Sequence, residues 1–164
     1  MPNVATTLSV RALPPIPTTS ILAASLHASA AAFLELYGYA KATQWSDEVM
    51  RTGERHDLLE TIAARLTECA DVVAQRAVEL GVNEGRGRID RALGTSAMWT
   101  VESVRTTSDL VARFRALRDV LDTFSHQAAL AGDSATRRVY HDVLNVTMKC
   151  YFAIEDSFDV ARAA

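Results

Sequence analysis

The stretch ERHDLLETIAARLTECADVVAQRAVELG, residues 54–81, decides the fold class. Within it Leu59, Ile62, Leu66, Cys69, Val73, Ala77 and Leu80 recur at steps of three and four, the spacing of one face of an α-helix. Gly81 stands just past the last apolar position, where glycine ends a helix by taking positive φ without steric cost. The spacing predicts a helix over 54–80. Upstream, Thr18, Thr19 and Ser20 read as N-cap residues before Leu22, Leu26, Ala30, Phe33, Tyr37 and Ala40. That predicts a helix over 20–45, followed by a short polar link from Ser46 to Gly53. Downstream, Leu110, Phe114, Leu117, Leu121, Phe124 and Ala128 predict a helix over 107–131. Ala131-Gly132-Asp133 reads as a stop and a new N-cap. Val139, Val143, Val146, Cys150 and Ile154, widened by Tyr140, Leu144, Tyr151 and Phe158, predict a fourth helix over 133–158.

The links complete the architecture. Short first-to-second and third-to-fourth connections make antiparallel neighbours. The stretch between Gly81 and Thr106 is too long for a bare turn, and Arg88 to Leu93 is expected to form a short helix within it. An all-α, ferritin-like four-helix bundle with one long crossover has this order of links. Residues 1–17 carry no apolar period and end in Pro-Pro-Ile-Pro, which predicts a flexible tail ahead of a single domain over 18–164.

Composition agrees and excludes alternatives. The chain has 164 residues, of which 49% are hydrophobic and 23% charged. That is enough apolar material for one core and too much for a wholly disordered chain. Seventeen Lys and Arg against 20 Asp and Glu give a net charge of −3, so the molecule as a whole is not a basic nucleic-acid binder. Two cysteines, Cys69 and Cys150, fall in apolar helical positions and read as buried free thiols, as expected for a reducing cytoplasm. The most apolar run, Ile21 to Leu34, is read as too short to span a membrane, being interrupted by His27. It makes a poor signal peptide, with only Arg11 and three prolines ahead of it. Gly85-Arg86-Gly87 lacks the strand and third glycine of a dinucleotide fingerprint.

The second helix carries polar residues that a simple amphipathic helix does not need. His56 and Glu60 are four apart and share a face, as do Asp71 and Gln75. At about 100° per residue, both pairs project from one broad side. Glu60 and Asp71 are roughly 16 Å apart along the axis, at about 1.5 Å per residue. First-row metals take ligands at about 2.0–2.3 Å, so one chain cannot bring both pairs to one ion. Two antiparallel copies about a twofold axis near Arg65 could do so, with Ala63, Ala64 and Thr67 expected at the crossing. A solvated helix face would carry the same residues, so spacing alone leaves both readings open. Trp45 is expected to be a packing aromatic. His27, His126 and His141 have no spaced carboxylate partner and are expected to be ordinary core or surface histidines.

A set of short motifs spans the chain. Gln44-Trp45 closes the first helix. Arg55-His56 follows twelve residues later, then Glu60, Asp71, Gln75-Arg76 and Leu80-Gly81. Ala131-Gly132-Asp133-Ser134-Ala135-Thr136 opens the fourth helix. In this register, over about residues 20–158, the chain resembles the Dps family, the DNA-binding proteins of starved cells, also called mini-ferritins. Family members carry His-Trp, His, Asp, Asp and Glu-Arg at the matching places. The resemblance implies a hollow homododecamer built from twofold dimers. It also implies an iron-binding ferroxidase site shared between subunits, here formed by His56, Glu60, Asp71, Gln75 and Gln44, that sequesters iron and blunts oxidative damage. Gln44 replaces an imidazole and Gln75 a bridging carboxylate, and a neutral amide oxygen is a weaker iron ligand than either. Iron binding and oxidation are therefore expected to be weakened. The Trp-Asn-Val-x-Gly turn that follows the family's His-Trp is also replaced, by Ser46-Asp47-Glu48-Val49.

The resemblance also raises DNA. Many relatives use a Lys-rich terminus to contact phosphates, whereas the tail here holds one basic side chain, Arg11. Affinity grows with the number of phosphates neutralised, so DNA binding is expected to be weak. Arg86, Arg88, Arg91, Arg137 and Arg138 read as solvated charges. Three functions remain open to the sequence: a weakened mini-ferritin, a ferritin-like cage without metal oxidation, and a DNA-compacting protein without metal chemistry.

Overall fold

In the computed structural model, residues 18–46, 49, 51–81 and 106–159 are described. They form four helices: α1 Thr18–Gln44, α2 Gly53–Glu79, α3 Thr107–Leu130 and α4 Ser134–Asp159. No strand occurs among the described residues. The four expected helices are all present, with ends displaced by no more than a residue or two. Thr18, Thr19 and Ser20, expected to stand before α1 as caps, lie inside its first turn. The tail over 1–17 and the short helix over Arg88 to Leu93 lie outside the described residues.

Cross-links fix the topology. Arg76 near the end of α2 reaches Thr136 and Asp133 at the start of α4, while Arg55 at the start of α2 reaches Ser157 O at the end of α4. Thus α2 and α4 are antiparallel. Phe124 meets Tyr140 and Arg115 meets Glu155, so α3 and α4 are antiparallel as well. It follows that α2 and α3 run the same way, and that Gly81 and Thr106 lie at opposite ends of the bundle. That is the geometry of the long crossover. Around the bundle α1 packs on α2 and α3, and α4 packs on α3 and α2.

The apolar stripes meet in one core. Leu26, Phe33, Leu59, Leu66, Leu110, Phe114, Leu121, Tyr140 and Ile154 are fully buried. Each large aliphatic or aromatic side chain removed from water contributes roughly 1.5–3 kcal/mol. Leu80, the last residue of the predicted stripe, is only half-buried, because it falls in the C-cap. Tyr140 was read as flanking and instead sits at the centre, its hydroxyl sharing a 2.8 Å hydrogen bond with Ser25 across the bundle.

The ends follow local rules. Gly81 and Gly132 both have positive φ, +72° and +73°, as helix-terminal glycines do. At the start of α3, Thr106 and Asp109 form a reciprocal capping box. At the start of α4, Asp133 accepts from Thr136 N at 2.9 Å and Thr136 Oγ1 at 2.7 Å. Arg76 binds the same pair, donating to both Asp133 carboxylate oxygens at 3.2 Å and to Thr136 Oγ1 at 3.0 Å. Two motifs that are distant in sequence, Gln75-Arg76 and Ala131 to Thr136, therefore meet in one polar knot.

One sequence expectation needs correction. By length and composition α1 is apolar enough to cross a membrane, with a mean hydropathy of 1.3 over its best window. His27 does not interrupt it, being itself buried in the helix at 5% exposure. Over half of that window is buried inside the bundle, and Ser25, Lys41 and Gln44 of α1 bond to α4 and α2. The helix is apolar on most of its circumference because protein covers most of its circumference.

Candidate metal centre

Backbone hydrogen bonds tie the described residues of the link between α1 and α2. Ser46 N donates to Thr43 O, Val49 N to Ser46 O and Thr52 N to Val49 O, at 3.0–3.1 Å. Val49 is fully buried and anchors the turn. The result places the last turn of α1 against the first two turns of α2, and so brings Lys41, Gln44, His56 and Glu60 together.

Gln44 is 1% exposed and faces α2. Its Nε2 donates to Glu60 Oε2 at 2.9 Å and to the His56 carbonyl at 3.2 Å, and lies 3.4 Å from His56 Nδ1. Its Oε1 is buried without a hydrogen-bond partner. The orientation is set by Glu60: a carboxylate accepts only, so the amide nitrogen must face it. Lys41 Nζ contacts the same oxygen, Glu60 Oε2, at 2.5 Å. The Lys41 hydrogen bond, then that of Gln44, holds the Glu60 carboxyl below its ordinary range. The Trp45 ring stands edge-on to His56 at 5.9 Å. Trp45 is 61% exposed, so the aromatic expected to pack is not a buried one.

The structure thus joins three of the five sequence-predicted positions, Gln44, His56 and Glu60. Asp71 and Gln75 are exposed farther along α2, on the same side but roughly 16 Å away along the axis at about 1.5 Å per residue. Among the described residues no three His, Cys, Asp or Glu side chains cluster closely enough to hold a metal ion. A site of single-chain origin would have His56 and Glu60 alone, with Gln44 presenting a donor where a metal needs an acceptor. Within one chain the described residues therefore do not make a metal site.

The exposed face of α2 needs one further correction. Ala63, expected at the helix crossing, is 1% exposed and belongs to the chain's own core. The outward residues near the midpoint are Thr61, Ala64, Arg65 and Glu68, which with Asp57 and Glu60 line an open groove of about 640 Å³. His27 is a core histidine whose Nδ1 has no hydrogen-bond partner. His126 and His141 are exposed. Lys41 was missed by the sequence reading; its only advance sign is its position three residues before Gln44, one turn along the same helix.

The geometry has counterparts among solved structures. Dps from Thermosynechococcus elongatus superposes with a TM-score of 0.67 at 16% identity, over 85% of this chain and 90% of that one. The fold is that of Dps. Antigen TpF1 from Treponema pallidum also superposes with a TM-score of 0.67, at 19% identity over 91% of this chain and 98% of that one. No protein-family model and no curated protein matches the sequence. The Dps, or mini-ferritin, bundle thus carries here a sequence far from those two proteins. At the α1–α2 junction it holds Gln44, His56 and Glu60 together, with Lys41 against Glu60.

Proposed function

We propose that the protein is a subunit of a Dps-like mini-ferritin shell that takes Fe(II) as its substrate, with weaker binding and slower oxidation than a full set of ligands gives. The observation that carries this reading is the layout of α2. His56, Glu60, Ala64, Thr67, Asp71 and Gln75 follow one another at steps of four and three along its outward side. His56 and Gln75 are symmetric about the same point as Glu60 and Asp71, between Arg65 and Leu66. Two antiparallel α2 helices across a twofold axis would bring His56 and Glu60 of one chain to Asp71 and Gln75 of its mate, making two identical sites. Ala64 and Thr67 at the crossing are small enough for the helices to approach closely.

In such a site the His56 imidazole and the Glu60 and Asp71 carboxylates hold the cation. Gln75 and a reoriented Gln44 add neutral oxygens, which are weaker iron ligands. Fe(II) held there is oxidised by peroxide or dioxygen, and the chain's part is to bind and orient it. A dodecameric shell in the cytoplasm is the setting proposed for this chemistry; the two buried free thiols are consistent with that compartment. DNA compaction is not part of the proposal.

A second reading, a cage of the same fold that oxidises little or no iron, is favoured by one observation. Lys41 already supplies a positive charge to Glu60. Peroxide-dependent Fe(II) oxidation, followed together with mass by light scattering, separates the two. Oxidation that is lost in His56→Ala and Asp71→Ala, with the shell mass unchanged, supports the first reading. A shell that oxidises Fe(II) no faster than buffer supports the second. A monomer at micromolar concentration contradicts both.

A further inference from the structure

α1 is apolar even on the side it shows to solvent. Glu35 is its only charged residue before Lys41, and the stripe ahead of Glu35 on that side is Ile21, Ala24, Ala28 and Ala32. A helix that is apolar all round is normally covered all round, yet Ile21 is exposed. α3 lies alongside and antiparallel, with Arg113 stacked on the Tyr39 ring at 3.4 Å. Between the two helices Ala32, Leu36, Ala116 and the exposed Val120 line a groove of about 190 Å³, whose charged members are Glu35 and Arg113. Arg113 is engaged by Tyr39, while Glu35 has no ion-pair partner among the described residues. Toward the start of α1 the same register brings Ile21 level with Leu130, which is also exposed. Contiguous apolar surface of this kind marks a place where something docks.

The segment ahead of α1 matches this groove in spacing, length and charge. Pro14, Pro15 and Pro17 favour a polyproline II helix, with three residues per turn and about 3.1 Å per residue. At that period Val10, Leu13 and Ile16 share one face. A chain that turns back at Pro17 in this conformation carries Arg11 about 22 Å from Thr18. Glu35 lies about 26 Å from Thr18 along α1, at about 1.5 Å per residue, and the arginine side chain closes the difference. Arg11 is the only basic side chain of the segment, and Glu35 is the only acid lining the groove. We propose that Val10 to Pro17 lies antiparallel to α1 in the α1–α3 groove, with Val10, Leu13 and Ile16 on its apolar lining and Arg11 on Glu35. The chain thereby covers its own apolar face and keeps it from meeting a second copy. An exposed ion pair contributes little, so the apolar contacts carry most of the docking.

Trypsin reads the docking directly, because Arg11 is the only cleavage site ahead of α1. Loss of residues 1–11 from the full-length protein is followed by mass spectrometry, with each rate taken relative to a matching synthetic peptide of residues 1–17. Cleavage that requires the segment to lift off tracks the population of the open form. The wild type is expected to be cut at Arg11 at least about tenfold more slowly than its peptide. Leu13→Asp in the segment and Val120→Gln in the groove should each speed the cut about tenfold, and Glu35→Ala about threefold. Ala116→Gln serves in place of Val120→Gln if the latter loses the helical circular dichroism of the wild type. Cleavage as fast as in the peptide overturns the proposal, as does slow cleavage that neither the segment variant nor the groove variants accelerate. A fall in mass by light scattering in the groove variant, with the Arg11 rate unchanged, overturns it in favour of a second copy seated there.

Discussion

Replacing Asp133 by alanine dismantles the knot that joins the end of α2 to the start of α4. Asp133 is the N-cap of α4, and losing such a cap costs about 1 kcal/mol. Its carboxylate also takes two hydrogen bonds from the Arg76 guanidinium, and both side chains are only 18% exposed. A hydrogen bond to a charged group contributes about 1.5–3 kcal/mol. The lower end applies here, because Arg76 keeps Glu79 as a partner at 3.0 Å. The two contributions share atoms and do not simply add, so Asp133→Ala is expected to destabilise by about 2–3 kcal/mol. For a chain of this size that lowers the Tm by roughly 4–12 °C. Asp133→Ser, which can still cap the helix but cannot pair with Arg76, should recover about 1 kcal/mol of the loss.

The same residue predicts a pH dependence. Burial pushes the Asp133 carboxyl up, but the Thr136 N–H, the Thr136 hydroxyl and Arg76 together outweigh it and hold it below the ordinary carboxylate range. A group with a depressed folded-state value stabilises above its unfolded pKa, near 3.9 for Asp, and loses that contribution as pH falls through the folded value. The gap in stability between wild type and Asp133→Ala should therefore be full at pH 6–7 and shrink on acidification below about pH 4. Urea denaturation at fixed protein concentration, in the presence of chelator, measures it. A loss below about 0.5 kcal/mol at pH 7, the scale of an ordinary surface substitution, would refute the knot as a stabilising element.

Three further outcomes follow from the structure. Gln44→His with Gln75→Glu should raise iron occupancy and the Fe(II) oxidation rate, measured by metal analysis and stopped-flow absorbance, because it returns an imidazole and a carboxylate to the site. Cys69 is 4% exposed and burial pushes its thiol up to about 12, while burial also raises that of Cys150. A thiol reagent at pH 8 should therefore leave both unlabelled in the folded protein and label both in denaturant. DNA binding should be lost at about 0.2 M salt in a gel-shift titration, since a tail with one basic side chain, Arg11, neutralises few phosphates.

The fold was legible because each helix of the bundle shows one apolar face to a single core. The α2 stripe from Leu59 to Ala77 and the α3 stripe from Leu110 to Ala128 read directly as burial, apart from Phe124, which is half-buried. Gly81, Gly132 and Asp133 read as helix ends because positive φ and N-capping restrict residue choice. α1 was harder to read. It is covered on most sides, so Ser25, His27, Ser29 and Gln44 are buried in positions where periodicity predicts nothing in particular. By spacing, the candidate site was legible only along one helix, and Gln44 entered it through the family resemblance. Spacing placed His56 with Glu60 and Asp71 with Gln75, but it carries no information on what a neighbouring helix brings. That is why Lys41 on Glu60, and Gln44 turned as a donor, emerged only from the packing of α1 on α2. Ala63 was misassigned for a related reason: it lies near the boundary between the buried and exposed faces of α2, and a small residue there fits either side.

The central claim is that two α2 helices pair antiparallel, so that each half-site at the α1–α2 junction is completed by a mate. An experimental structure of the assembled protein tests it through the separation of Glu60 in one chain from Asp71 in the next. Two ligands of one first-row metal ion, each at about 2.0–2.3 Å from it, lie within about 4–5 Å of each other. The account predicts that Glu60 and Asp71 carboxylate oxygens approach within about that distance across the twofold axis, with His56 beside them. Mates that leave these carboxylates more than about 10 Å apart, too far for any single ion to bridge, would contradict it.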